Sequence, residues 1–419
     1  MNRFIYTVLI ILSLPFALLR TLLRDTKNSN WIRKLKNQLG FVPKISGKVI
    51  WLHCVSVGEF NAAKPLIDKI FIKFPLHKIV ISTTTITGSE AVEKHYKSQV
   101  IHYFFPFDIP FIVSSFLKKI KPVACILLET EIWPNLITKL KHKNIPVMLV
   151  NARLSKKSFK KYNKFSPKLV SSTLNSLSII CSQNESSSKR FISLGANNNI
   201  ITTGSLKFDS NEPSNSKTIQ KLKNITGDRR IVVFASTRKG EELQIIKSYL
   251  ALKSKFNALL LMVPRHPERF NEVFNMINET GLNVKRRSLA GHCEQDTDIL
   301  IGDSMGEMMS YLNISDIAFI GGSLTNNGGQ NMLEAASLSK PIIFGPSVFN
   351  FEEISKRLLD DGSAIQVSNA EELMKTISEL LLDDEKRKLI GESAKTTFEN
   401  NRGATTKIFK AIAPYIKDT

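Results

Sequence analysis

The sequence predicts an α/β protein built from two doubly wound, parallel-sheet domains. Three observations predict it. The chain has 419 residues, too many for one ordinary domain and enough for two of roughly 170 to 200. Short apolar runs alternate with amphipathic helical stretches at the spacing that parallel strands and crossover helices require. The alternation is broken by Asp209-Ser-Asn-Glu-Pro-Ser-Asn-Ser216, a polar, turn-rich stretch with no periodic apolar residue, after which it restarts.

Residues 4–19 form an almost unbroken apolar run containing Pro15, a little short of the about 20 residues that cross a bilayer. No small-residue cleavage site follows. Instead come Arg20, Arg24, Lys27, Arg33, Lys34 and Lys36, a pattern that keeps the next segment on the cytoplasmic side. The expectation is an uncleaved membrane anchor over residues 1–24, with insertion into one leaflet as the alternative to a full span. A first domain then covers 25–209, a linker 210–216 and a second domain 217–419, whose last helix can pack back on the first.

In the first domain, residues 49–54, 78–82, 101–105, 123–128, 147–150, 177–181 and 200–202 read as strands. In the second, residues 231–235, 258–263, 298–301, 317–320, 341–344 and 364–367 do so. They are too short for buried helices and lack polar alternation, as strands covered on both faces should. Two Rossmann-like domains facing across a cleft make the architecture called GT-B.

In open α/β sheets ligands gather beyond the carboxyl ends of the strands. After the first strand comes Ser56-Val-Gly-Glu59 and a helix expected over 60–74, which puts Glu59 at a helix N-terminus. The helix dipole favours the ionised carboxylate a general base needs, and partial burial must raise its pKa again for efficient proton abstraction. An ordinary first-turn acid fits the same residues. Ser82-Thr-Thr-Thr-Ile-Thr-Gly88 suits a sugar or phosphate, or a plain helix cap. Glu129-Thr-Glu-Ile-Trp-Pro-Asn135 places two acids beside an aromatic that can stack on a sugar ring, and such a pair calls for a cation. Arg153 and Lys207 are the candidates, and a structural salt bridge is the competing account. Lys157, Lys160, Lys161, Lys164 and Lys168 share one face at helical spacing, suited to anionic headgroups or simply to solvent.

The second domain offers Ser236-Thr-Arg-Lys-Gly-Glu-Glu242, Pro264-Arg-His-Pro-Glu-Arg269 and Asp303-Ser-Met-Gly-Glu307 at strand ends. It also offers Gly321, Gly322, Gly328 and Gly329 before a helix expected over 331–338. Glycines let backbone approach a phosphate, the helix N-terminus adds unpaired N–H groups, and Glu334 can accept from ribose hydroxyls. Turns and a solvated acid are the simpler account. A formal charge of +21 points to polyanionic partners, nucleic acid, anionic lipid or phosphorylated substrates. No nucleic-acid-binding module accompanies the lysines. Cys54, Cys125, Cys181 and Cys293 stand singly, as buried thiols in a reducing compartment do. With neither Cys-x-x-Cys nor a His pair at i, i+4, a structural zinc site or a zincin is not expected.

Together these motifs resemble the lipid A 3-deoxy-D-manno-oct-2-ulosonic acid (Kdo) transferases, membrane-anchored GT-B enzymes. The resemblance runs through the anchor, His53-Cys-Val-Ser-Val-Gly-Glu59, the Thr83 to Gly88 run, Glu129-Thr-Glu-Ile-Trp-Pro-Asn135, Asn151-Ala-Arg-Leu-Ser155 and Gly204-Ser-Leu-Lys-Phe-Asp209. It continues through Pro264-Arg265, Met305-Gly-Glu307, the Gly321 to Glu334 stretch and Gly345-Pro346 to Asn350-Phe351. It implies Glu59 as general base, with Glu129 and Lys207 as transition-state stabilisers. Pro264, Arg265, Met305, Gly306, Glu307, Asn331, Met332, Leu333 and Glu334 are implied to hold CMP. The implied reaction moves Kdo from CMP-Kdo to lipid IVA with inversion, needs no metal or other cofactor, and takes place on the cytoplasmic face of the inner membrane. An anionic membrane surface is then a partner and nucleic acid is not. The chain departs from the family at Gln330, usually His, and at Arg238-Lys239, usually His-Glu; both bear on donor affinity. A sibling GT-B enzyme using a UDP-sugar and an exported two-lobed solute-binding protein are the competing readings.

Overall fold

The computed structural model describes every residue except 26–29, 198, 211–214, 254–255 and 417–419. Most of the expected linker therefore lies outside the described residues, as does Lys27. The chain forms two compact units, Met1–Ser210 with Arg402–Thr419, and Asn211–Asn401.

The first unit carries seven parallel strands: β1 (Val49–His53), β2 (Lys78–Thr83), β3 (Val100–Phe104), β4 (Pro122–Leu128), β5 (Val147–Ala152), β6 (Ile179–Ser182) and β7 (Ile200–Thr202). Their order in the sheet is β3-β2-β1-β4-β5-β6-β7. Side chains alternate between two cores, which explains the absence of polar alternation. Val49 and Trp51 of β1 join the cluster under helices Pro110–Ile120 and Pro134–His142. Ile50 and Leu52 join the one under helix Val57–Lys73, which also takes in Ile408 and Ile412 of helix Ala404–Ile412. That last helix is fastened at its start by Asp209, whose carboxylate accepts from the N–H groups of Gly403 (2.8 Å) and Thr405 (2.6 Å).

The second unit carries β8 (Ile231–Thr237), β9 (Leu259–Pro264), β10 (Val284–Arg286), β11 (Ile299–Ile301), β12 (Ile317–Ile320), β13 (Ile342–Phe344) and β14 (Ala364–Gln366). These seven are ordered β10-β11-β9-β8-β12-β13-β14, all parallel. Helix Asp384–Asn400 closes tightly on this unit at Gly391, where a Cβ would stand 2.1 Å from the Ser339 carbonyl oxygen. Backbone cannot yield as a flexible side chain would, so Gly391→Ala is expected to lower stability by about 1–3 kcal/mol. A lower urea midpoint at unchanged m-value would register it.

The N-terminal run forms one helix, Arg3–Asp25, with Phe4, Leu12, Phe16 and Leu23 exposed. Among the described residues no helix is long and apolar enough to cross a membrane, so the full span expected for residues 1–24 is not supported. The expected lysine face is also broken. The helix ends at Phe165, and Lys168 lies on a separate helix, Pro167–Leu174, because Pro167 interrupts the backbone hydrogen bonding. All four cysteines are free and buried.

Candidate active site

Each sheet has a place where neighbouring strands send their connections opposite ways, and a crevice opens there. In the first unit this lies between β1 and β4. The helix after β1 packs with helices Ile86–Tyr96 and Ala404–Ile412, whereas the one after β4 packs with Pro110–Ile120 and Pro167–Leu174. Glu59 and Glu129 follow these two strands.

The helix carrying Glu59 begins at Val57, three residues earlier than the sequence predicts. Ser56 sits at the cap and Glu59 at the third helical position, the spacing of a capping box. The Val55 N–H donates to Glu59 Oε2 at 2.8 Å, and Ser56 Oγ lies 3.5 Å from Oε1. The side chain is thus directed back toward the strand end. Burial pushes the Glu59 carboxyl up to about 8, helped by Glu129 and Glu131, against the opposing pull of the Val55 N–H and Lys207. Desolvation therefore wins over hydrogen bonding and helix position. The buried Cys54 thiol beneath it is pushed up as well, by burial and then by Glu59 and Glu129.

Glu129 has φ of 55°, in the left-handed region that a glutamate seldom occupies, with its N–H bonded to the Val150 carbonyl at 3.0 Å. Asn151, at the end of β5, has φ of 50°. Its Oδ1 accepts from the Leu206 N–H at 3.0 Å and so holds the turn Leu206–Phe208 that bears Lys207. Strained backbone concentrated at strand ends marks positions kept for their side chains. The sequence motif contained Asn151 but gave it no part; the tolerance of asparagine for this conformation was the available signal.

Glu131 is answered differently from the expectation. Among the described residues Arg153 makes no ion pair with either acid. Instead the Trp133 indole N–H donates to Glu131 Oε2 at 2.6 Å, and the buried His53 presents Nε2 at 3.4 Å from that oxygen. His53 is held by stacking on Phe105 at 3.8 Å and through Nδ1 by Ser82. Trp133 is therefore tied to the acid and to Phe105, 5.5 Å away, which limits the sugar stacking expected of it.

In the second unit the corresponding crevice lies between β8 and β12. Here the expected phosphate cradle is closed by its own fold. The N–H of Gly321 bonds to Ala235 O, that of Gly322 to Glu241 Oε1, that of Gly328 to Ser347 Oγ and that of Gly329 to Gly322 O. Gly321 is instead a packing residue, since a Cβ there would meet the Ser236 carbonyl at 2.6 Å. The expected helix over 331–338 is only Leu333–Ser337. Asn331 Oδ1 takes the Leu333 N–H at 3.2 Å, and Asn331 Nδ2 donates to Glu334 Oε1 at 3.0 Å. Met332 and Leu333 are fully buried, so their side chains cannot reach a ligand. Glu307 is also engaged, by Arg287 at 2.8 Å, Tyr311 at 3.2 Å and Ser304, which fixes the loop on which Met305 and Gly306 are exposed.

What faces this crevice unbalanced is positive charge. Arg238 contacts His266, and the neighbouring Arg265 and Arg269 oppose its charge. Arg269 is neutralised by Glu242 at 2.5 Å, whereas Arg265 is exposed beyond Pro264 at the end of β9. The buried Glu241, pushed up to about 7 by desolvation, bonds the N–H groups of Arg238 and Gly322, both at 2.6 Å. An anion placed among Arg238, Arg265 and Lys239 would relieve the repulsion.

The raised Glu59 has a measurable consequence. Its unfolded carboxyl titrates near the ordinary 4.5 and its folded one near 8. The stability it contributes is therefore fully present below about 4.5 and lost as pH rises through 8. Glu59→Gln removes that loss, so its Tm should gain on the natural chain as pH goes from 5 to 9 in calorimetric scans.

Residues 33–210 match the family described as 3-Deoxy-D-manno-octulosonic-acid transferase (kdotransferase), and residues 229–397 match Glycosyl transferases group 1. The chain is 37% identical over 427 residues to a 3-deoxy-D-manno-octulosonic acid transferase of Haemophilus influenzae, covering 100% of this chain and 99% of that one. To the transferase of the same description from Bordetella pertussis it is 31% identical over 378 residues, covering 88% and 87%. Among solved structures, a glycosyltransferase from Rickettsia africae has a TM-score of 0.59 at 16% identity, covering 90% of this chain and 100% of that one. A UDP-GlcNAc 2-epimerase from Neisseria meningitidis has a TM-score of 0.59 at 15% identity, covering 88% and 100%. At such identities the two structures show a shared fold of paired Rossmann-like domains.

Proposed function

This chain belongs to the 3-deoxy-D-manno-octulosonic acid transferase family, and on that premise we propose that it moves Kdo from CMP-Kdo to lipid IVA with inversion. The observation that carries the reading is Glu59, a half-buried carboxyl pushed up to about 8 at the β1–β4 crevice. A carboxylate so destabilised in its charged form is a strong proton acceptor.

In this reading the first unit supplies the base and the second holds the donor nucleotide. Glu59 takes the proton from an acceptor hydroxyl as its oxygen bonds to the anomeric carbon of Kdo. The bond from that carbon to the phosphate oxygen breaks, and CMP leaves with the electron pair. Positive charge develops on the sugar as in other glycosidic chemistry. We assign Glu129 and Lys207 to stabilising this transition state, Lys207 by balancing the neighbouring acids. CMP carries one phosphate, so Arg238 and Arg265 supply enough charge for the leaving group without a metal. Met305, Gly306 and Glu334 with Asn331 are assigned to the nucleoside, and Pro264 to the turn presenting Arg265. The buried Met332 and Leu333 contribute by shaping the loop, and Glu307 by holding it.

The N-terminal helix with its exposed apolar residues, beside the lysines of helix Lys156–Phe165, suits a seat in one leaflet of an anionic membrane. We place the body on the cytoplasmic side of the inner membrane. Incubation of the purified chain with CMP-Kdo and lipid IVA tests the reading. Mass spectrometry should find lipid IVA heavier by one or more Kdo units. Absence of that product, with transfer from a UDP-sugar instead, would reject it.

A further inference from the structure

Helix Pro134–His142, which ends the Glu129 to Trp133 loop, lacks a cap of its own, because Trp133 at its start makes no side-chain hydrogen bond to the helix. First-turn N–H groups need an acceptor, and here it comes from a distant part of the chain. Asp108 Oδ2 accepts from the Asn135 N–H at 3.0 Å and Oδ1 from the Leu136 N–H at 2.7 Å, while the Asp108 carbonyl accepts from Asn135 Nδ2 at 2.7 Å. Asp108 and Asn135 are both buried, at 3% and 5% exposure. The acidic loop therefore has two fixed ends, β4 on one side and this cap on the other.

The N-terminal helix holds the same carboxylate. Tyr6 OH donates to Asp108 Oδ2 at 2.9 Å, and Thr7 Oγ1 bonds the Asn135 side-chain amide at 3.0 and 3.2 Å. Two consecutive residues of the helix thus meet a buried polar knot. A helix serving only as a tether would have no need of such bonds, and a bilayer-spanning one could not make them from its second turn. A buried polar group of this kind is also costly to leave without its partner.

We propose that the N-terminal helix positions the acidic loop, through Tyr6, Asp108 and Asn135, so that seating of this helix sets the rate of transfer. Tyr6 and Asp108 are positioning residues; neither touches the reacting atoms. The helix is in this sense part of the catalytic unit, and a change in its seat on a lipid surface is passed to Glu129 and Glu131. The inference rests on the Kdo-transfer reading for its kinetic arm only.

The test is Tyr6→Phe in the full chain, which removes one hydroxyl and no packing volume. With CMP-Kdo and lipid IVA in detergent, kcat should fall on the order of ten-fold, since small displacements of catalytic groups are costly. KM for CMP-Kdo should stay unchanged, and Tm should fall only modestly, because one hydrogen bond to a buried carboxyl is lost. A spectroscopic arm needs no turnover. In the chain labelled with nitrogen-15 at tryptophan, the indole N–H signal of Trp133, identified by its loss in Trp133→Phe, should move in Tyr6→Phe, while those of Trp31 and Trp51 stay. Thr7→Val, which loosens the knot from its other side, should move the same signal. An unmoved Trp133 signal in both variants, or unchanged kcat with Tyr6→Phe, overturns the inference. If the natural chain itself transferred no Kdo, the functional reading would fall, and the indole signal alone would decide whether the helix positions the loop.

Discussion

Glu59→Gln is expected to lower the rate of Kdo transfer by a factor of about 10²–10⁴, the usual contribution of a positioned general base. The substitution is nearly isosteric. A glutamine oxygen can still accept from the Val55 N–H, the bond that now holds Glu59 Oε2 at 2.8 Å, so the start of helix Val57–Lys73 should survive. What is lost is the ability to receive a proton. CMP affinity, measured by calorimetric titration, should be unchanged, because the cationic loops belong to the other compact unit. The natural chain should also show a rate that rises with pH toward about 8, where Glu59 ionises, and the variant's residual rate should lack that limb. Near-normal turnover by Glu59→Gln would end the assignment of this residue as base.

Lys207→Met carries the second large effect, a fall in kcat of about 10²–10³, as found when one charge-stabilising group is taken from a preorganised site. Lys207 is the cation that draws Glu59 downward, against burial and two neighbouring acids. Its removal should thus do two things at once: slow the chemical step and move the rising limb of the pH profile to higher pH. Methionine keeps the length and apolar stem of the lysine. The turn Leu206–Phe208 remains fastened through Asn151 and Asp209, so Tm should change little. A slower rate with an unmoved limb would mean that Lys207 acts on something other than Glu59.

Much of the fold was legible because the strands are buried on both faces. Ile50 and Trp51 are neighbours in sequence and belong to opposite cores, and that is what an unalternating apolar run means. β10 was missed for the opposite reason. Val284-Lys-Arg286 is an edge strand whose residues are only partly buried, so it leaves no apolar mark. In the site, strand-end position directed attention to Glu59 and Glu129. The local pattern could not reveal where hydrogen bonds go. The glycine loop looked like a phosphate cradle, yet its N–H groups are taken by Glu241 and Ser347, residues far away in the chain. Helix Leu333–Ser337 starts late because the Asn331 side chain competes for its first N–H group. The partner of Glu131 was sought among arginines and lysines, whereas an indole two residues away supplies the bond.

The order of synthesis runs against the order of assembly in this chain. Ile408 and Ile412 fill the same cluster as Ile50 and Leu52, and Asp209 waits for Gly403 and Thr405. A nascent chain halted near residue 210 therefore has a complete sheet with an uncovered oily flank. The ribosome must deliver nearly two hundred further residues before that flank can be sealed, an interval in which a chaperone has something to hold.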